Sequence, residues 1–142
     1  MLPTEVRVGY ILRYSYLWHR QHLEGYEEGD KDRPCLVLAN IKLDDGSSAV
    51  RVLPITHTPP DDPADAVEIP RPAKERLRLD DERSWIVVTE SNRFVWPGPD
   101  LRPVDGDTGY YGAIPPALFA EVKRRFVALA RGQSHASVQR TD

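Results

Sequence analysis

Cysteine is nearly missing from this chain: Cys35 is the only one, so no disulfide forms within it and no cysteine cluster holds a metal. That usage fits a reducing, cytoplasmic setting. Long apolar runs are missing too. None approaches the roughly twenty residues that cross a bilayer, and the opening MLPTEVRVG has neither the basic start nor the apolar core of a signal peptide. Positive charge is not in excess: 19 Lys and Arg against 22 Asp and Glu leave a net charge of −3. A domain of that sign does not bind nucleic acid indiscriminately, although a local basic site stays open. The sequence also lacks G-x-x-x-x-G-K, G-x-G-x-x-G, G-x-S-x-G and paired C-x-x-C, which removes support for nucleotide hydrolysis and dinucleotide redox chemistry.

Turn formers are plentiful instead. Thirteen prolines and nine glycines in 142 residues point to one domain of short elements rather than long helices. Residues 6–18, VRVGYILRYSYLW, carry Tyr10, Leu12, Tyr14, Tyr16 and Trp18 at period two, the mark of a strand with an aromatic face. Such a stripe serves as barrel core, or as a platform on which unpaired bases stack. A polar loop, HRQHLEGYEEGDKD, follows. RPCLVLANIKL and AVRVLPITHT, joined by DDGSS, predict a hairpin whose first strand is apolar on both faces. VEI is a short strand, and PRPAKERLRL one or two helical turns opened by proline. Arg71, Lys74 and Arg78 share one side of that helix, a face able to touch phosphate. SWIVVTE and NRFVW are further strands, and PPALFAEVKRRFVALAR a closing helix with Leu118, Val122, Phe126 and Leu129 on its apolar stripe. The tail, residues 132–142, has no apolar face and is expected to be disordered beyond a single domain of residues 1–131. The fold class predicted is mainly β: a small, strongly curved barrel of five or six strands, with a short inserted helix and a C-terminal helix.

Polar residues at strand ends are the candidates for chemistry. Proline fixes its own φ and pushes the residue before it toward an extended backbone, so Arg33 in DRPCLVLA is held at a strand entrance with its guanidinium positioned. Thr56 ends the next strand and Glu90 follows VVT. His57, next to Thr56, falls on the opposite face of an extended strand. His19 and His22 offer two metal ligands on a turn with no third at suitable spacing, so no metal and no cofactor are expected.

VRVGYIL, DRPCLVLA, LPITHTPP, SWIVVTESNRFVW and GAIPPALFAEVKRRFVALA, in that order over residues 6–131, resemble the successive blocks of the MazF/PemK family of bacterial toxins. The resemblance implies an SH3-like barrel, a homodimer, and metal-independent, sequence-specific cleavage of single-stranded RNA, restrained by an antitoxin protein. The arginine of its R-P block and the threonine of its I-T block match Arg33 and Thr56 as catalytic residues, and its acidic position matches Glu90. Two residues earlier, where other members carry arginine, stands Val88.

Chemistry agrees with those residue types. RNA is cut without metal when its 2′-hydroxyl attacks the adjacent phosphorus, so an enzyme must stabilise charge on phosphate and move protons. Arg33 suits the first task through its planar fork. Thr56 hydrogen-bonds phosphate or orients the 2′-hydroxyl, and Glu90 acts as base or holds Arg33. His19 and His22 are further acid or base candidates, and Tyr16, Trp18 and Tyr26 can stack on bases. Two other readings remain open at this stage: a barrel that binds a partner without chemistry, and a toxin aimed at a protein such as a topoisomerase.

Overall fold

The computed structural model describes residues 1–27, 29 and 31–140. Among these, nine strands and three α-helices succeed one another: β1 (Tyr10–Tyr14), α1 (His19–Leu23), β2 (Arg33–Lys42), β3 (Ser48–Thr56), β4 (Ala66–Glu68), α2 (Arg71–Arg76), β5 (Trp85–Val87), β6 (Glu90–Val95), β7 (Leu101–Arg102), β8 (Gly112–Ala113), α3 (Pro116–Arg131) and β9 (Ala136–Gln139). The mainly β class read from the sequence holds. The strand count exceeds the expected five or six because β4, β5, β7, β8 and β9 are only two to four residues long, too short to show a period.

β2 and β3 form the predicted hairpin, from Cys35 opposite Pro54 to Lys42 opposite Ser48. Gly46, at φ +88°, supplies the left-handed residue its turn needs. β1 lies on the other side of β2 and also pairs with β7 and β8. Among the described residues every ladder is antiparallel except that of β6 with β9.

The central hairpin is buried on both faces, which explains its unbroken apolar run. Ile11, Leu36, Leu38, Leu53 and Ile55 point into one cluster, closed by Ala73 and Leu77 of the α2 region and by Val122 of α3. Leu12, Tyr14, Cys35, Val37, Val50 and Val52 point into the other, where Tyr14 stacks on Phe94 at 4.8 Å between ring centres. The aromatic stripe is therefore core at Tyr14 and Tyr16, both fully buried, and Tyr16 is not a base-stacking platform. Burial pushes the Cys35 thiol well above its usual range, so it is an inert core residue.

β5 and β6 run against the same strand, β3, in different registers. Asn92 stands opposite Val52 and Ile86 opposite Ile55, so five residues of the outer strand face two of the inner one. Pro54, which has no N–H to give, lies opposite this kink. The kink separates SWIVVTE into β5 and the start of β6 and sets Glu90 at the bend.

Three expectations are corrected. The tail is not disordered: β9 lies parallel to β6 from Ala136 opposite Glu90 to Gln139 opposite Arg93, Val138 is fully buried, and Arg140 is buried behind it. Residues 141 and 142 of the tail lie outside the described residues. The polar loop after β1 begins with the short helix α1; Glu28 and Asp30 of that loop lie outside the described residues as well. α2 ends at Arg76, and Lys74 points inward rather than to solvent. No helix among the described residues is long and apolar enough to cross a membrane.

Candidate functional site

Arg33 opens β2 opposite Tyr14, the last residue of β1. Its guanidinium carbon sits 4.8 Å from the centre of the Trp18 ring, a cation–π contact that fixes the plane of the fork. The remaining contacts are sparse. Nη1 donates to the Ile55 carbonyl at 3.5 Å, the limit of a hydrogen bond, and Nε is buried with no partner. Among the described residues no carboxylate pairs with this cation. A half-buried guanidinium that no described carboxylate neutralises is able to receive an anion at its accessible N–H groups.

Trp18 and His19 are held by β6. Glu90 Oε1 accepts from the His19 N–H at 2.9 Å and from the Tyr16 hydroxyl at 3.0 Å. Asn92 clasps Leu17 at both backbone groups, taking its N–H at 2.9 Å and donating to its carbonyl at 2.8 Å. Burial first, and then the nearby Glu90 carboxylate, raise the Tyr16 hydroxyl well above its ordinary range, so it stays a donor. The bend from β1 into α1 is thus pinned by two side chains 70 or more residues away, and with it the ring that carries Arg33.

Thr56 ends β3, and its Oγ1 accepts from the Thr58 N–H at 3.1 Å. With that lone pair engaged, the hydroxyl proton is left to donate outward. Thr56 stands at the boundary of two clefts. One, of about 320 Å³, is walled by Arg33, Pro34, Ile55, Thr56, His57 and Asp80 among others. The second, of about 520 Å³, is walled by Trp18, His19, Arg20, Leu23, Thr56 and Glu90 together with the Pro59–Pro60 loop. Each has the volume of a small-ligand site.

The structure therefore brings Arg33, Thr56, Trp18, His19 and Glu90 to one stretch of surface. It leaves other candidates elsewhere. His22 and Tyr26 line a separate hollow with Leu17, Glu27 and Arg140. Arg71 is exposed on α2 and pairs with Glu75 at 3.5 Å. Lys74 is buried, its ammonium donating to Asp80 at 2.9 Å, so it faces no ligand. Glu90 does not hold Arg33 either, since both of its hydrogen bonds go to the β1–α1 bend. Val88 is fully buried in the apolar cluster of Ile11, Leu36 and Ile55, and its carbonyl lies 2.8 Å from His135 Nδ1.

His57 is the residue that alternation misplaced. Beyond Thr56 the strand ends in a bend, so His57 lines the same cleft as Arg33 instead of the opposite face. Its Nε2 is 2.7 Å from Asp80 Oδ2 and its Nδ1 3.1 Å from Glu82 Oε2. The two carboxylates flank opposite ring nitrogens and do not converge on one point; no group of three such ligands forms a metal cage among the described residues. Burial pushes the Asp80 carboxyl up, but Lys74 and His57 together outweigh it and hold it below its usual range.

No protein-family model matches this chain, and no curated protein matches its sequence.

Proposed function

We propose that the protein is a metal-independent endoribonuclease of the MazF/PemK type, an SH3-like barrel that cuts single-stranded RNA as the growth-inhibiting toxin of a toxin–antitoxin pair. In this reading it works in the cytoplasm as a homodimer and is silenced by an antitoxin protein. The observation that carries the proposal is Arg33: stacked on Trp18 and free of any described carboxylate, in the cleft that Thr56 also lines. A phosphodiester supplies the anion such a fork binds bidentately.

In the proposed reaction the scissile phosphate lies against Thr56. Arg33 neutralises the charge that builds on its non-bridging oxygens, and the Thr56 hydroxyl donates a further hydrogen bond. Glu90, on the second cleft, takes the 2′-hydroxyl proton through Oε2, because Oε1 already holds the β1–α1 bend. Trp18 gives an aromatic edge beside that cleft, and His19 a polar one.

Incubation of the purified protein with a long single-stranded RNA in chelator, followed by mapping of the ends, tests the proposal. Cuts at a few sequence contexts are expected, ending in 2′,3′-cyclic phosphate and 5′-hydroxyl. Arg33→Ala should raise the barrier by about 2 kcal/mol or more, the scale of one lost preorganised donor, which is roughly 30-fold in rate. Equal cutting by wild type and Arg33→Ala would remove Arg33 from the chemistry, and intact RNA with wild type would remove the activity.

A further inference from the structure

His57 does more than clip the Asp80–Glu82 loop to β3. Its two carboxylate contacts are surface pairs, a class that adds little to stability, yet each ring nitrogen has a carboxylate within reach in the cleft of Arg33 and Thr56. A carboxylate only accepts, so a protonated imidazole in this position has an acceptor within reach of each ring N–H.

The two contacts are unequal. Asp80 is locked from behind: its Oδ1 accepts from the Lys74 ammonium at 2.9 Å and from the Glu82 N–H at 3.1 Å, and the Lys74 side chain is 6% exposed. Glu82 is 72% exposed at its side chain and holds Nδ1 at the longer distance of 3.1 Å. Nε2 therefore faces the anchored partner, and Nδ1 of the protonated ring faces a partner that readily gives way to another. An anchored back and an exchangeable, proton-bearing front are the requirements of a general acid.

We propose that His57 is the general acid of the site, donating its Nδ1 proton to the leaving 5′-oxygen of the RNA. The proposal rests on the ribonuclease reading given above. As the 2′-oxygen bonds to phosphorus, its proton passes to Glu90. The phosphorus–O5′ bond breaks, and the electron pair left on O5′ takes the proton from His57. The products are a 2′,3′-cyclic phosphate and a 5′-hydroxyl. His57 is left neutral with its Nε2 proton still on Asp80, and exchange with water resets it and Glu90. Attack and departure in line place base and acid on opposite sides of the phosphorus. Glu90 lines one cleft, His57 the other, and Thr56 stands between them.

A leaving group that needs no proton isolates this role. An oligoribonucleotide carrying the mapped cut site is made with the ordinary 5′-oxygen and, separately, with a bridging 5′-sulfur, which departs as thiolate. His57→Ala and His57→Gln should each slow the oxygen linkage about 100-fold or more and the sulfur linkage by less than about 10-fold, whereas Arg33→Ala should slow both. Cutting of the oxygen linkage by both His57 variants within about threefold of wild type would overturn the assignment, and so would equal losses on the two linkages. In either case a wild type that still cuts leaves the ribonuclease reading standing. A wild type that cuts neither linkage ends both.

Discussion

Replacing Arg140 with alanine tests whether the C-terminal tail is part of the folded domain. The guanidinium is sealed inside: its side chain is 2% exposed and pairs at 2.9 Å with Asp100, itself 13% exposed. It also donates to the Ser15 carbonyl at 2.6 Å and to Asn92 Oδ1 at 3.0 Å, and lies 5.4 Å from the centre of the Tyr14 ring. Removing one member of a buried, hydrogen-bonded ion pair costs about 3–5 kcal/mol, mostly because the group left behind stays out of water with one partner fewer. Against a total stability of about 5–15 kcal/mol, that is a large share. In urea, where a chain of this size loses about 2 kcal/mol per molar, the unfolding midpoint should fall by about 2 M with an unchanged slope. Arg140→Lys keeps the charge but not the fork and should recover only part of the loss. Deletion of residues 136–142 should cost at least as much as Arg140→Ala, since it also removes the buried Val138 and uncovers the edge of β6. A midpoint within about 0.3 M of wild type for both Arg140→Ala and the deletion would refute the reasoning and return the tail to the solvated state its composition suggests.

Trp18→Ala removes the surface on which Arg33 lies; at about 0.5–1 kcal/mol for such a contact, RNA cleavage should drop a few-fold, measured as initial rate on one defined oligonucleotide, and an unchanged rate would show that the stacking does not position the fork. Tyr16→Phe breaks the hydrogen bond to Glu90 and should lower stability by about 1.5–3 kcal/mol, read by urea titration, while a loss of RNA affinity without a loss of stability would mean that the hydroxyl serves RNA and not the fold. His135 is neutral by construction: burial first lowers its proton affinity, its Nδ1 proton goes to the Val88 carbonyl, and Nε2 accepts from Ser91, whose oxygen already accepts from Arg51. Because its folded pKa is depressed, the unfolded chain takes up a proton that the folded chain refuses as pH falls below about 6.5. This contribution is complete above that value and is lost below it, so urea midpoints between pH 7.5 and 5.5 should fall more steeply for wild type than for His135→Gln; parallel profiles would contradict it. Lys74→Met should leave the salt dependence of RNA binding unchanged, since a buried ammonium releases no counterion, whereas a shallower slope would put Lys74 at the phosphates.

Local chemistry made part of this legible. The proline after Arg33 and the apolar run behind it give a strand entrance on their own, and DDGSS forces the return. The stripe on residues 118–129 makes a helix wherever it finds a surface. Tyr16 shows the limit of periodicity: alternation put it on the aromatic face, but only the approach of Glu90 and Phe94 from β6 made that face an interior. The candidate site divides in the same way. Arg33 and Thr56 stand out as polar ends of apolar strands, while Asn92, Asp80 and His57 give no such signal, because their partners are distant in sequence or lie past a bend that alternation does not see.

The sequence by itself determined the central hairpin, the closing helix and the presence of an arginine fixed at the start of a strand. These follow from backbone constraint and from hydrophobic pattern within a dozen neighbouring residues. Only the tertiary structure decided that the polar tail is a strand sealed by Arg140, that Lys74 is buried, and that His57 shares a cleft with Arg33. Each of those outcomes depends on which charges meet across the fold, and a side chain's neighbours in space, not in sequence, set whether its charge is solvated, paired or left waiting for a ligand.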